Sequence, residues 1–359
     1  MAYSQQMGLL RVLLAVSVFM AHSAPTGFMS HLIGFGGANA VEIFFLISGF
    51  YIAMILERSY STNLGFYKNR ALRLYPIYYI ICALVLVRCL LVPNLRTELF
   101  SFPAKALSIG ALANSTFFGS DWIMFLQWND NNLHFGNFNN SELPLWHMLL
   151  VPASWSLGVE VTFYLLAPLL CKAKSRTIIV LGASLLAIRI VAFVMGLNVD
   201  PWTYRFFPFE LPIFLLGILL YRIKNRYKHA PKMSVASTYT SLMFLYLLLP
   251  VVAQKFDFGR IPQLFVLVMV ASTIILFGPD NAKDKKFGDL SYPIYMSHVL
   301  VISTFSGVLG VISEKIIIFE KIKESLTFIP ITLFLTFLFS FLLIRLVQPI
   351  ERIRDKNRR

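Results

Sequence analysis

Apolar runs of about 17 to 25 residues recur ten times along the chain, the length an α-helix needs to cross bilayer hydrocarbon. They lie at 8–24, 41–57, 73–92, 146–170, 178–197, 206–222, 235–253, 260–277, 291–312 and 326–348. Polar segments separate them, so the pattern predicts an all-α integral membrane protein, a bundle of about ten transmembrane helices around a polar cavity. With the N-terminus inside, the inner segments carry twenty Lys and Arg and the outer ones eight. That bias predicts both termini in the cytoplasm, with the basic tail 351–359 as an anchor. The one long connection, 93–145, is then extracytoplasmic, and 1–359 reads as a single membrane domain with no appended soluble domain. Arg11, the apolar run after it and Ala21-His22-Ser23-Ala24 also fit a cleaved signal peptide. His is unusual in such a small-residue tract, so the first run is read as a retained span.

Composition agrees with a bilayer. Of 359 residues, 57% are hydrophobic and 14% charged, against roughly 25% charged in soluble domains. The net charge of +14 would suggest nucleic acid in a soluble protein, but here the charges sit in short loops and set topology. Cys82, Cys89 and Cys171 are an odd set in or beside spans, giving neither a disulfide framework nor metal-ligand spacing. No glycine-rich phosphate loop of the P-loop type is present either, and neither a metal nor a permanently bound cofactor is expected.

The candidate chemistry lies where polar residues interrupt the apolar runs. Arg11 and His22 are eleven residues apart, 20° past three full turns, so they share one helix face about 16 Å apart. Ionisable groups inside a span are costly and mark functional sites. Glu42 opens the second span at the same outer end as His22 and could orient its imidazole. Arg70 and Arg73 are i,i+3 neighbours, suited either to phosphate recognition or to anchoring at the inner surface. In the fourth span Ser156, Glu160 and Tyr164 make one stripe beside Trp155, and the ninth repeats the pattern with Ser291, Tyr295 and His298. Each stripe alone could be helix-packing glue; together with the first track they suggest one polar cavity. A carboxylate as deep as Glu160 needs a partner, with Arg11, Arg70 and Arg189 as candidates. The stretch 127–146, rich in Asn and aromatics, is either a sugar-binding surface or part of an interfacial loop with Trp122, Trp128 and Trp146 at headgroup level.

Five motifs in order make the chain resemble the membrane-bound acyltransferase family 3, over nearly its whole length. They are Arg11-x10-His22; Gly36-Gly37 through Glu42 to Ser48-Gly49-Phe50; Arg70-x2-Arg73 with Pro76 and Tyr78; Trp155-Ser156-Leu157-x2-Glu160-x2-Phe163-Tyr164; and Gly288-Asp289-x-Ser291-Tyr292 through Tyr295 to His298. Ala40 replaces a usual glycine, and Val161 an acidic residue that often follows Glu160. The resemblance implies an acetyl-CoA-dependent O-acetyltransferase (more broadly, acyl-CoA-dependent) of the bacterial cytoplasmic (inner) membrane. Acyl-CoA is its co-substrate and a lipid-linked or surface glycan, such as lipopolysaccharide O-antigen, its acceptor. In that scheme Arg70 and Arg73, helped by Arg11, hold the coenzyme's phosphates. His22 is general base or transient acyl carrier, and Glu42 orients it. Trp155, Ser156, Glu160, Tyr164, Ser291, Tyr295 and His298 shape the cavity, the oxyanion site or the acceptor site. The competing classes are a transporter of an acyl donor or lipid-linked sugar, and a non-catalytic membrane partner in polysaccharide assembly. No feature sets an oligomeric state.

Overall fold

The computed structural model describes residues 7–23, 34–60, 62–227, 230–256, 259–279, 281–313 and 327–356. Each of the ten predicted spans contains a helix. In chain order the helices are α1 (Gly8–Ser23), α2 (Gly37–Arg58), α3 (Asn63–Leu91), α4 (Pro93–Ser101), α5 (Ala104–Thr116), α6 (Trp155–Lys172) and α7 (Ser175–Val194). There follow α8 (Phe207–Arg226), α9 (Val235–Lys255), α10 (Arg260–Phe277), α11 (Ala282–Gly288), α12 (Ser291–Ser313) and α13 (Phe328–Lys356). Seven, namely α2, α3, α6, α7, α9, α10 and α13, are long and apolar enough to cross a membrane, and α1 is a shorter apolar helix. The remaining two expected spans are α8, which carries Glu210, Arg222, Lys224 and Arg226, and α12.

Their outer faces are apolar. Helix α7 leaves Ile179, Val180, Ile188, Ile190 and Val194 exposed, and α13 does the same with Phe334, Leu338 and Leu346. In water such faces would be unstable, whereas lipid solvates them. This is a multi-pass membrane protein.

Three boundaries differ from the sequence reading. Helix α3 starts ten residues before the apolar run does, because the Thr62 hydroxyl caps it by accepting from the Gly65 amide at 3.2 Å. Its polar first turns therefore hold Arg70 and Arg73 on helix. Helix α6 starts at Trp155 rather than 146. Pro144 and Pro152 interrupt helical bonding, and residues 145–148 and 152–154 form 3₁₀ turns instead. The segment 93–145 is built, not loose. It contains α4 and α5, then an antiparallel hairpin of β1 (Leu126–Asn129) and β2 (Asn132–Phe135), in which Gln127 faces His134. Asp130 and Asn131, at φ 51° and 59°, take the left-handed conformation that a tight hairpin turn requires.

The described chain forms two compact units. One comprises Met1–Phe44 and Leu220–Gln348, the other Phe45–Leu219 and Pro349–Arg359. In the second unit, α2 and α8 cross backbone to backbone. A Cβ on Gly217 would lie 2.2 Å from the Leu46 carbonyl oxygen and 2.9 Å from Gly49 Cα, so both glycines are required there. Phe214 beside them stacks on Phe45 and Phe163, at 4.8 and 4.2 Å between ring centres. A buried ion pair, Arg189–Glu210 at 3.3 Å, ties α7 to α8, and Arg189 also donates to the Phe209 and Thr203 carbonyls at 2.9 and 2.5 Å.

Between α5 and α6 lies a buried carboxyl. Asp121 is 2% exposed, and its Oδ1 has no hydrogen-bond partner among the described residues. It packs where Gly158 lacks a side chain, since a Cβ there would sit 2.6 Å from Oδ1. Burial pushes its pKa up to about 7, against the lowering effect of its own and the Trp122 amide. A carboxyl raised in the folded state stabilises fully below the unfolded value of 3.8 and loses that contribution as pH rises to about 7. Thermal unfolding of the detergent-purified protein should therefore show stability falling across this window, by at most about 1.4 kcal/mol per pH unit from this group. Asp121→Asn should flatten that slope.

Candidate active site

Helix α1 runs unbroken from Gly8 to Ser23, so Arg11 and His22 share a face as expected. What holds α1 in place is Asp284 on α11. Its carboxylate accepts from the Gly8 and Leu9 amides at 2.6 and 2.8 Å, and from the Tyr239 hydroxyl at 3.0 Å. The amides opening a helix lack internal partners and carry its positive dipole end, so a carboxylate there both satisfies and neutralises them. Contact is close enough that a Cβ on Gly288 would lie 2.6 Å from Gly8 Cα and 3.4 Å from an Arg11 guanidinium nitrogen. Asp284→Ala should cost about 2 kcal/mol, from the lost cap and the amides left buried. It should appear as a lower unfolding temperature in detergent.

From that anchor α1 and α12 run side by side in one direction, with Gly8 meeting Gly288 at one end and His22 meeting His298 further along. His22 is exposed, and its Nδ1 lies 2.8 Å from the Val18 carbonyl. A carbonyl can only accept, so Nδ1 carries the hydrogen and Nε2 of the neutral ring keeps its lone pair. His298 is fully buried, with Nδ1 2.7 Å from the Tyr295 carbonyl, and the two imidazole centres are 4.9 Å apart. Tyr295 packs edge-on against Phe44 of α2 at 5.8 Å. Ser291 is spent on the local turn, donating to the Gly288 carbonyl at 2.7 Å.

Glu42, wholly buried, is paired with Arg260 at the start of α10. The sequence reading counted Arg260 only as an outer-loop cation. The one signal for it was its position, because Glu42, Arg260 and the His22 end of α1 are all predicted at the outer surface. The His22 ring is seen bonded to the Val18 carbonyl, and Glu42 to Arg260.

In the second unit the stripe Ser156, Glu160, Tyr164 is formed as expected. Glu160 Oε1 accepts from Tyr164 at 2.5 Å and from Ser48 of α2. Its partners are thus two hydroxyls, while Arg189, one of the expected cations, belongs to Glu210. Arg70 and Arg73 both lie close enough to act electrostatically on the Tyr164 phenol. Arg70 is buried and donates to Asn69 Oδ1 at 3.1 Å, and Asn69 in turn donates to the Arg354 carbonyl of α13 at 3.1 Å. Trp155 opens α6 under the guanidinium of Arg205, 4.3 Å from its ring centre, and Arg205 is clamped by both oxygens of Asp200 at 2.6 and 2.9 Å. Ser156 donates to the Ala153 carbonyl at 2.9 Å. Among the described residues no group of three or more His, Cys, Asp or Glu could hold a metal ion.

The sequence profile of acyltransferase family 3, described as an acyltransferase domain, matches residues 5–345, and the chain belongs to that family. It is 32% identical over 155 residues to the O-acetyltransferase OatA of Staphylococcus aureus, which covers 40% of this chain and 22% of OatA. It is 31% identical over 134 residues to the exopolysaccharide production protein ExoZ of Rhizobium meliloti, 36% of this chain and 39% of ExoZ. An uncharacterized protein of Aquifex aeolicus is 28% identical over 203 residues, 54% of this chain and 89% of that protein. The matched part thus spans about a fifth of OatA. No solved structure matches the chain.

Proposed function

We propose that this protein is an O-acetyltransferase that moves an acetyl group from cytoplasmic acetyl-coenzyme A to a hydroxyl of a bacterial surface polysaccharide, such as a lipopolysaccharide O-antigen. The observation that carries the reading is the His22 imidazole, exposed and with Nδ1–H tied to Val18, so that Nε2 is a base. As general base it takes the acceptor proton while the oxygen attacks the thioester. In the variant route Nε2 itself accepts the acyl group and passes it on. Arg70 and Arg73 bind the coenzyme's phosphates through charge-assisted bonds. Glu42, paired with Arg260, helps to orient the imidazole, and Glu160, Tyr164, Trp155 and Ser156 line the donor or acceptor path. The names of OatA and ExoZ, an O-acetyltransferase and an exopolysaccharide production protein, support acetyl as the group and a glycan as the acceptor.

The enzyme lies in the bacterial inner membrane with about ten spans and both termini cytoplasmic. Reporter fusions after residues 64 and 135 should then read inside and outside; the reverse pattern would refute the donor side. Mass spectrometry or NMR of surface glycans with and without the gene tests the reaction. Loss of an acetyl mass on deletion identifies donor group and acceptor together, and an unchanged glycan refutes the assignment.

A further inference from the structure

Asn69 stands between Arg70 and the end of α13. It is 1% exposed, and both arms of its amide are used. Oδ1 accepts from Arg70 Nη2 at 3.1 Å, and Nδ2 donates to the Arg354 carbonyl at 3.1 Å. The partners fix which way the amide lies, since a guanidinium only donates and a carbonyl only accepts. The last four carbonyls of a helix have no partner within it. Helix α13 ends at Lys356, so the Arg354 carbonyl is one of these, and Asn69 satisfies it. The bond joins segments 285 residues apart that belong to one compact unit, Phe45–Leu219 with Pro349–Arg359. The basic end of the chain, which charge alone marks as an anchor, is therefore fastened to the helix that carries the arginine pair.

An amide suits this position in a way that a carboxylate would not. A long Arg side chain loses rotamer freedom on binding a ligand, and a hydrogen bond made beforehand has already taken up part of that loss. A neutral acceptor holds the guanidinium without cancelling its charge, whereas a carboxylate would pair with it and compete with phosphate. We propose that Asn69 is a positioning residue of the donor site, and that the last turn of α13 is the fixed point from which it holds Arg70 ready for the coenzyme's phosphates. This rests on Arg70 being a phosphate-binding residue. Binding linkage is reciprocal, so coenzyme bound at Arg70 must in turn stabilise the docked end of α13.

The readout is the initial rate of labelled acetyl transfer into glycan as acetyl-coenzyme A is varied, in membranes containing equal amounts of the chain. Asn69→Leu is similar in size and makes neither bond. It should raise KM for acetyl-coenzyme A about 5- to 10-fold, the usual worth of one hydrogen bond. Its kcat should change little, since the binding lost is common to ground and transition states. A chain ending at Ile350 lacks the Arg354 carbonyl and should show the same split. Both changes break one link, so together they should raise KM no further than the larger does alone. An unchanged KM in Asn69→Leu, a loss in kcat only, or effects that multiply overturn the proposal. Arg70→Met keeps the two readings apart. An unchanged KM there removes Arg70 from the donor site, whereas a raised KM with Asn69→Leu unchanged removes only the role of Asn69.

Should the variants fail to accumulate, the wild-type protein in detergent decides. Coenzyme A should raise its unfolding temperature and slow trypsin cleavage after the exposed Arg352, read as tail peptide by mass spectrometry. A raised temperature with unchanged cleavage overturns the proposal alone, and no effect on either refutes the donor reading beneath it.

Discussion

His22→Ala should lower acetyl transfer by about 10²- to 10⁴-fold, the usual worth of a positioned general base, while leaving the protein folded. The second half follows from the structure. His22 is exposed and its ring is held by the Val18 carbonyl of its own helix, so truncation leaves that carbonyl on a helix turn and removes the ring contact with His298. Surface changes of this kind are usually within about 0.5 kcal/mol. Equal protein level and an unchanged unfolding temperature, with glycan O-acetyl lost, is the expected pair of results. Normal acetylation in His22→Ala would take His22 out of the chemistry, and a fall in protein level matching the fall in acetylation would assign it to folding.

Glu42→Ala should do the opposite, losing stability as well as activity. Glu42 is fully buried and bound to Arg260, so its removal takes the carboxylate from that guanidinium. Breaking one side of a buried pair costs about 3 to 5 kcal/mol. Arg260 keeps 29% of its side chain exposed, so water recovers part of that and the lower end is expected. Arg260→Ala takes the guanidinium from a wholly buried carboxylate and should be at least as damaging. Combining both changes should cost clearly less than their sum, since the two residues interact directly. Unfolding temperatures of the four proteins in one detergent test this, and simple additivity would show that the pair does not couple.

Much of the candidate site was legible because helical geometry is local. The spacings Arg11 to His22, Arg70 to Arg73, and Ser156 to Glu160 to Tyr164 needed only 3.6 residues per turn, and each proves helical and on one face. Partners between helices were not legible. Nothing local marks Arg260 as the mate of Glu42, Asp284 as the cap on α1, or Ser48 as a donor to Glu160, because 218, 275 and 112 residues separate them. Helix ends failed for another reason. A hydropathy run reports where lipid contact begins, whereas Thr62, Pro144 and Pro152 decide where backbone hydrogen bonding begins.

By itself, the order of apolar and polar residues determined that this chain is a helical membrane protein, and its motifs determined the family, since both are written in periodicity and short spacing. Only the tertiary structure decided which charges are paired, what anchors α1, and which nitrogen of His22 and His298 bears the hydrogen. Each of these depends on the atom that a neighbouring turn or helix places within hydrogen-bonding reach, and in a chain whose side chains compete for few polar partners that choice is made by packing.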